Sequence, residues 1–463
     1  MAAASRRVAY DAVVIGAGVI GSSVALELAR GGRRALVVER NAGAGQGTTS
    51  YSSGIIRNYY STLDACKLAW EAYQVWAHGF DEHIGGRAAE LDPLTFRENG
   101  GLLLRTPLSA YLLDQSERHH RTLGIPVERW DRERVSRDAG WLTSRFGPPK
   151  RVDDPAFGQP DGEHTVDYAV YYPKTGYVND PQHATRLINA GATNLGATFL
   201  FRHTVTAVRV RGGRVCGLTV QGADGALEVE APVVVNAAGP HSSLVNRLAF
   251  EANGVRNDSR ISTRPMRAEV AYLPLDVAPR GGERERERGS VMTSADADLG
   301  VYWRPEPGNK RILVGGLEPE CDEPEFLADP DEVLQGRGPK AELSDFWTNL
   351  AYRAALRIPE LVIPNTAAGI VSTYDVTEDW MPVYDQTALP GYYFAIGTSG
   401  NQFKNAPVAG KLVAEIIKQV ENGKTDHDVN AVQLDLPLSG HTLDTAKFSR
   451  VRSVNATTAS VMS

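Results

Sequence analysis

A chain of 463 residues exceeds what one hydrophobic core usually serves, so two domains are expected. Charged residues make up 23% and hydrophobic ones 42%, and the net charge of −7 argues against nucleic acid as the main partner. No apolar run approaches the roughly 20 residues that span a bilayer, no secretory signal is legible, and three scattered cysteines suit a reducing compartment with no metal cluster, so a cytoplasmic location is expected.

Tyr10 to Arg40 reads as strand, Gly-rich turn, helix and strand. Ala12 to Ile15 is an apolar run suited to a buried parallel strand. Gly16, Gly18 and Gly21 follow at G-x-G-x-x-G spacing, with Ala17, Val19 and Ile20 between them. Gly16 permits the tight turn, Gly18 the approach of backbone to a pyrophosphate, and Gly21 close packing of helix on strand. The helix Val19 to Arg30 points its positive end at that phosphate. Glu39, at the end of the second strand, can accept bonds from both hydroxyls of an adenosine ribose; Arg40 follows it. An acid at this position argues against a 2′-phosphate.

Small residues then dominate, including Thr48, Thr49, Ser50, Ser53 and Gly54, before Ile55 and Arg57. Such composition lets backbone lie close to something flat or phosphorylated. Asp64 to Ala77 has helical apolar spacing, and Trp70, Tyr73 and Trp76 read as core. Ser109 to Leu123 reads as a polar helix, with His119 and His120 at its surface. The Pro- and Asp-rich stretch 147–164 is a crossing or surface loop. His203 to Val210, which includes Val205, starts a meander that ends at Glu230. Val233 to Val235 is a buried strand, with Ala237, Ala238 and Gly239 keeping its carboxyl end small.

Between 259 and 363 successive strands without helices suggest an antiparallel sheet, broken by a solvated charge run at 281–289. Tyr392 to Ile396 is a final buried strand. The turn Gly397 to Lys404, with Gly400, Asn401, Gln402 and Phe403, faces the helix Val408 to Val420. The remaining tail is polar and expected to be only partly ordered.

Three strand–turn–helix units, at 12–30, 233–246 and 392–420, therefore come from remote parts of the chain. The expected architecture is α/β, the layout of a flavoprotein: a discontinuous Rossmann-like dinucleotide-binding domain (1–93, 162–258 and 364–463) with an inserted antiparallel-sheet α+β substrate domain (94–161 and 259–363). A second G-x-G-x-x-G is absent from the sequence, so a single dinucleotide is implied.

The segments VVIGAGVIGSS, GTTSYSSGIIRNYY, VVVNAAGPHS and FAIGTSGNQFKNAPVAGKLVAEII resemble the D-amino-acid-oxidase superfamily of FAD enzymes, in its sarcosine oxidase and dimethylglycine dehydrogenase branch. The resemblance implies FAD extended through the first domain. It also implies oxidation of an amine at the carbon next to nitrogen, with hydride passing to the flavin and an imine left to hydrolyse. It assigns Arg57 and Lys404 to the substrate carboxylate, and Tyr302 and Trp303 to the surroundings of the substrate amine. A guanidinium and an ammonium together can fix a carboxylate in one orientation.

Three departures from the branch matter. Thr49 to Ser52 contains no histidine for covalent flavin attachment, and Ser372 stands at a cysteine position, so FAD is expected to be held non-covalently. Leu313 stands where oxygen-reacting members carry a lysine, which counts against fast reaction with oxygen; the expected acceptor is oxygen, an electron-carrier protein or a quinone. Two rivals remain at this point: a 2-hydroxy-acid dehydrogenase on the same fold, and a flavin-binding assembly or scaffold protein.

Overall fold

A computed structural model describes residues 6–86, 91–275, 291–308, 310–425, 427–455, 458 and 462. The charge run at 281–289 lies outside them. A six-stranded sheet is central, in the order Thr198–Leu200, Ala35–Val38, Ala12–Ile15, Val234–Asn236, Tyr392–Ile396 and Val383–Gln386. The first five strands are parallel and the last is an antiparallel edge. Alternation explains why Ala12–Ile15 is apolar throughout. Ala12 and Val14 pack into the core on one face, while Val13 and Ile15 pack into the core on the other.

The three remote units thus meet side by side. Each of the strands Ala12–Ile15, Val234–Asn236 and Tyr392–Ile396 runs through a turn into a helix, respectively Val19–Arg30, Ser242–Ala249 and Ala406–Glu421. Their turns gather at one edge of the sheet, outside the carboxyl ends of the strands, where open α/β sheets bind ligands. Gly16 has φ +103°, and a Cβ there would stand 2.5 Å from the carbonyl oxygen of Ala237. Only glycine lets these two turns touch.

The meander Thr204–Arg211, Arg214–Gly222 and Gly225–Glu230 makes a four-stranded sheet together with Arg6–Ala9, which lies parallel at its edge. The inserted domain holds a five-stranded antiparallel sheet, in the order Ser294–Asp296, Val301–Pro305, Arg311–Gly316, Arg264–Pro274 and Gly369–Val376. The helix Phe346–Arg357 contributes Trp347, Leu350, Ala351 and Ala354 to the core beneath that sheet.

Two expected boundaries shift. Tyr168–Tyr172 pairs with Gly101–Arg105 and Glu128–Trp130, so the 162 boundary falls before a strand of the inserted domain. Likewise Gly369–Val376 pairs with Arg264–Pro274, which puts the start of the last cofactor segment after residue 376 rather than at 364. Strand propensity reveals a strand but not its partner.

Two further expectations are corrected. His120 is fully buried, bonded to the Ser116 carbonyl at 2.8 Å and to Asn58 Oδ1 at 3.0 Å; its neighbour His119 reaches the Ser61 carbonyl at 3.1 Å. The tail is ordered through much of its length, with a hairpin at Gln433–Leu436 and His441–Asp444. Arg450 is then clamped between Asp258 and Asp428, at 2.6 Å from each, and lies 3.2 Å from Asp385. Those partners are distant in sequence, so local polarity alone suggests disorder.

Candidate active site

The turns enclose a cavity of about 650 Å³ that runs from Glu39 to the antiparallel sheet. Of the expected cofactor residues, Gly16, Gly18, Val19, Ile20, Glu39, Arg40, Thr48, Thr49, Ser53, Val205, Ala237, Ala238, Gly239, Gly400, Gln402 and Phe403 line it. Ala17, Gly21, Ser50, Gly54 and Gly397 do not. They shape the wall from behind: a Cβ on Gly21 would stand 2.0 Å from the Gly16 carbonyl, and one on Gly54 2.2 Å from the Val178 carbonyl. The Ser50 hydroxyl donates to the Gly47 carbonyl, and the Gly397 amide donates to Asp375 Oδ2 at 2.6 Å.

The residues present fit FAD. The helix Val19–Arg30 starts at Gly18 with no side-chain cap and no acid in its first turn, which leaves a positive end toward the cavity. The Val19 amide donates to Thr49 Oγ1 at 3.2 Å, which ties the early loop to the phosphate end. Glu39 Oε2 accepts from the Ala17 amide at 2.8 Å and Oε1 from the Asn41 amide at 2.7 Å. A carboxylate has about four lone-pair sites, so ribose hydroxyls still find acceptors there. Arg40 turns aside, with Nη2 2.7 Å from Asp331 and Nη1 2.9 Å from His241 Nε2.

A second cavity of about 40 Å³ adjoins the far end and shares Ser52, Ser53, Tyr302, Gly400 and Phe403 with the first. Ile55, Arg57, Asn401 and Lys404 line this smaller space. Arg57 is buried; its guanidinium lies 4.2 Å from the centre of the Tyr60 ring and donates to the Tyr59 carbonyl. Lys404 is buried beside it, bonded to the Asn401 carbonyl, with Nζ 5.5 Å from the Tyr60 ring centre. Burial, then the charge of Arg57, push the Lys404 ammonium pKa well below its ordinary value. Among the described residues Lys404 has no carboxylate within ion-pair distance. Burial also pushes the Tyr59 phenol up to about 12, so it stays protonated.

Tyr302 lies at the boundary of the two cavities, and burial raises the pKa of its phenol. Trp303, expected beside it, is instead fully buried on the opposite face of the strand, edge-on to Trp141. The strand period of two forces that separation. Leu313 is buried, lines neither cavity and pairs across the ladder with Arg304, whose guanidinium bonds the Ser53 carbonyl.

Three contributors were not anticipated. Trp76 donates from Nε1 to the Lys404 carbonyl at 2.6 Å and stacks on Phe403, so a residue read as core also fixes the late turn. Asp375 lines the larger cavity, and burial pushes its carboxyl up to about 7. Met462 lines the smaller cavity. No local motif marks these residues; only the tertiary packing does.

Ser372 stands on the wall in place of a cysteine, and the histidines that line the cavity, His203 and His241, sit beside Glu39 and Arg40 at the adenosine end.

The chain is similar to several known proteins. "FAD-dependent oxidoreductase domain-containing protein 1" of Bos taurus is 26% identical over 88% of this chain and 81% of its own length. A glycine oxidase of Geobacillus kaustophilus is 23% identical over 89% of this chain and 94% of its own length. The crystal structure of L-proline dehydrogenase from P. horikoshii superposes with a TM-score of 0.68 at 20% identity, covering 96% of this chain and 97% of that one. No described helix is long and apolar enough to cross a membrane. The family model for FAD dependent oxidoreductases (DAO) matches residues 11–416, and the chain belongs to that family of FAD-dependent enzymes.

Proposed function

We propose that the protein oxidises the carbon–nitrogen bond of a small amine that carries a carboxylate, an amino acid or N-alkylated amino acid. The observation that carries this reading is the convergence of Arg57 and Lys404 on one small cavity at the flavin end of the larger one. Two cations sharing a buried wall repel each other, and a substrate carboxylate relieves that repulsion. The planar guanidinium fixes the carboxylate's orientation and the ammonium neutralises its second oxygen. The bond to be oxidised then points toward the boundary at Tyr302, and such positioning supplies much of a rate enhancement.

FAD, when bound, supplies the hydride acceptor. The described lining of the smaller cavity contains no histidine, aspartate or glutamate. The amine therefore sheds its proton before it reacts, and both cations favour the neutral amine over an ammonium. The imine product is hydrolysed by water. Electrons leave for oxygen, an electron-carrier protein or a quinone.

The test is reduction of the bound flavin under nitrogen by glycine, sarcosine, dimethylglycine, proline and D-amino acids. Bleaching by an amine supports the reading. Bleaching by 2-hydroxy acids alone makes the protein a hydroxy-acid dehydrogenase, since Arg57 and Lys404 suit that carboxylate equally. No bleaching by either class favours a scaffold role.

A further inference from the structure

The smaller cavity is closed by a residue from the far end of the chain. Met462 is buried and packs among Tyr59, Tyr302 and Trp380. It lines the same cavity as Arg57 and Lys404. Its approach is built rather than incidental. Arg452 forms a two-pronged pair with Asp379, Nη2 to Oδ1 at 2.7 Å and Nε to Oδ2 at 2.8 Å. Six residues later, the Thr458 hydroxyl donates to the Asp379 carbonyl at 2.6 Å. Asp379 precedes Trp380, whose carbonyl accepts from Asn401 Nδ2 at 3.3 Å, and Asn401 is itself on the cavity wall. One short stretch, 377–381, therefore holds both the tail and the turn that carries Lys404.

We propose that Met462 is a specificity-determining residue, the wall that limits the size of the substrate's side chain. This rests on the assignment of Arg57 and Lys404 to a substrate carboxylate. With the carboxylate on those cations and the reacting carbon toward Tyr302, the side chain must occupy what is left of about 40 Å³. A single water needs roughly 10–15 Å³ by the same measure, so the space takes only a few heavy atoms. The substrate class is an amino acid with no side chain or a very small one, such as glycine, its N-methyl derivatives or alanine. A methionine suits the position because its unbranched thioether fills an irregular gap and can be re-shaped by substitution.

The test uses the full-length holoprotein with Met462→Ala, Met462→Phe and the volume-conserving Met462→Leu. Calorimetry with acetate and phenylacetate reads the wall without any redox chemistry. Anaerobic flavin reduction by glycine, alanine, leucine and phenylalanine reads it through turnover. The expected result is a shift of at least tenfold toward phenylacetate, relative to acetate, in Met462→Ala. Met462→Phe should shift the ratio the other way, and Met462→Leu should leave it near the parent value. An unchanged ratio in both Met462→Ala and Met462→Phe overturns the proposal. A shifted ratio with no flavin reduction by any amine upholds the wall and sinks the amine-oxidising reading instead.

Discussion

The indole nitrogen of Trp76 donates to the main-chain carbonyl of Lys404 at 2.6 Å, while the same ring stacks on Phe403 with centres 5.2 Å apart. The helix Leu63–Gln74 and its continuation thereby hold a turn more than 300 residues away in sequence. Lys404 owes its direction to that hold, because among the described residues its own side chain bonds only locally, to Asn401. Trp76→Phe keeps a stacking ring and removes the donor. A buried carbonyl that loses its partner costs on the order of 1–3 kcal/mol. The expected outcome is a five- to hundredfold weaker binding of carboxylate substrate with FAD content retained, checked by flavin absorbance and by KM.

Lys404 also sets a pH dependence with a definite sign. Its pKa is depressed by burial and by Arg57, so the ligand-free site loses this charge at a lower pH than an ordinary lysine does. Carboxylate binding restores the charge and takes up a proton. Affinity for acetate should therefore fall as pH rises, whereas the rate of flavin reduction should climb with the fraction of neutral amine. Titration of acetate across pH checks this. Lys404→Met should flatten the acetate profile and weaken binding at neutral pH by roughly tenfold or more, the scale of one charge-assisted bond of about 1.5–3 kcal/mol.

Gly16 and Gly18 separate folding from cofactor binding. Gly16→Ala places a Cβ 2.5 Å from the Ala237 carbonyl at φ +103°, so two sheet-end turns must part. Loss of soluble protein or a large drop in Tm is expected, since such strain costs about 1–3 kcal/mol before the clash is counted. Gly18 has φ −67°, and its added Cβ would meet only Thr49 Oγ1, at 3.2 Å. Gly18→Ala should fold with near-normal Tm as apoprotein and bind FAD more weakly, read by flavin fluorescence on dilution.

Much of this was legible before the structure because the cofactor loop is made of local signals. The Gly16–Gly21 turn, the Glu39 strand end and the small residues after Val234–Asn236 each depend on neighbours a few positions away. What escaped depends on pairing at long range. Tyr168–Tyr172 has the composition of any strand, and only its ladder with Gly101–Arg105 reveals its domain. His120 stands on a polar helix, yet Asn58 and Tyr172 cover it. Met462 lies in a polar tail whose anchors, Asp258, Asp379 and Asp428, are spread over the chain. The resemblance places Trp303 beside the substrate amine together with Tyr302, whereas strand alternation sends such neighbours to opposite faces.

Asp375 gives a stability profile of opposite sign to that of a paired surface acid. Burial is the largest influence on it and lifts its pKa from 3.8 to about 7, against the hydrogen bond from the Gly397 amide. A raised folded-state pKa means that the native state binds more protons between those values. Its contribution is fully present below pH 3.8 and is lost as pH rises through 7. Apoprotein Tm should therefore decline between pH 5 and 8 more steeply than in Asp375→Asn, which has no proton to lose. A parallel decline in both proteins would remove Asp375 as the cause.

Asp331 connects the inserted domain to the adenosine end of the cavity. Its Oδ1 lies 2.7 Å from Arg40 and 2.9 Å from His241, and all three residues line the cavity. Burial raises the Asp331 carboxyl, but the bonds from Arg40 and His241 outweigh it and the net shift is downward, so the group is charged at neutral pH. Burial, followed by the charge of Arg40, lowers the His241 pKa, so the imidazole is neutral there and acts as a neutral hydrogen-bond partner. Arg40 thus bonds a residue of the inserted domain, and the short helix Asp331–Leu334 is tied to the adenosine end of the cavity. Asp331→Asn keeps the shape and removes the charge, a loss of about 1 kcal/mol for one partly exposed charge-assisted contact. FAD should then dissociate roughly fivefold faster, seen as the rise of free-flavin fluorescence after dilution, with substrate affinity at Arg57 and Lys404 unaltered. An unchanged release rate would mean that FAD leaves by a path this helix does not cross.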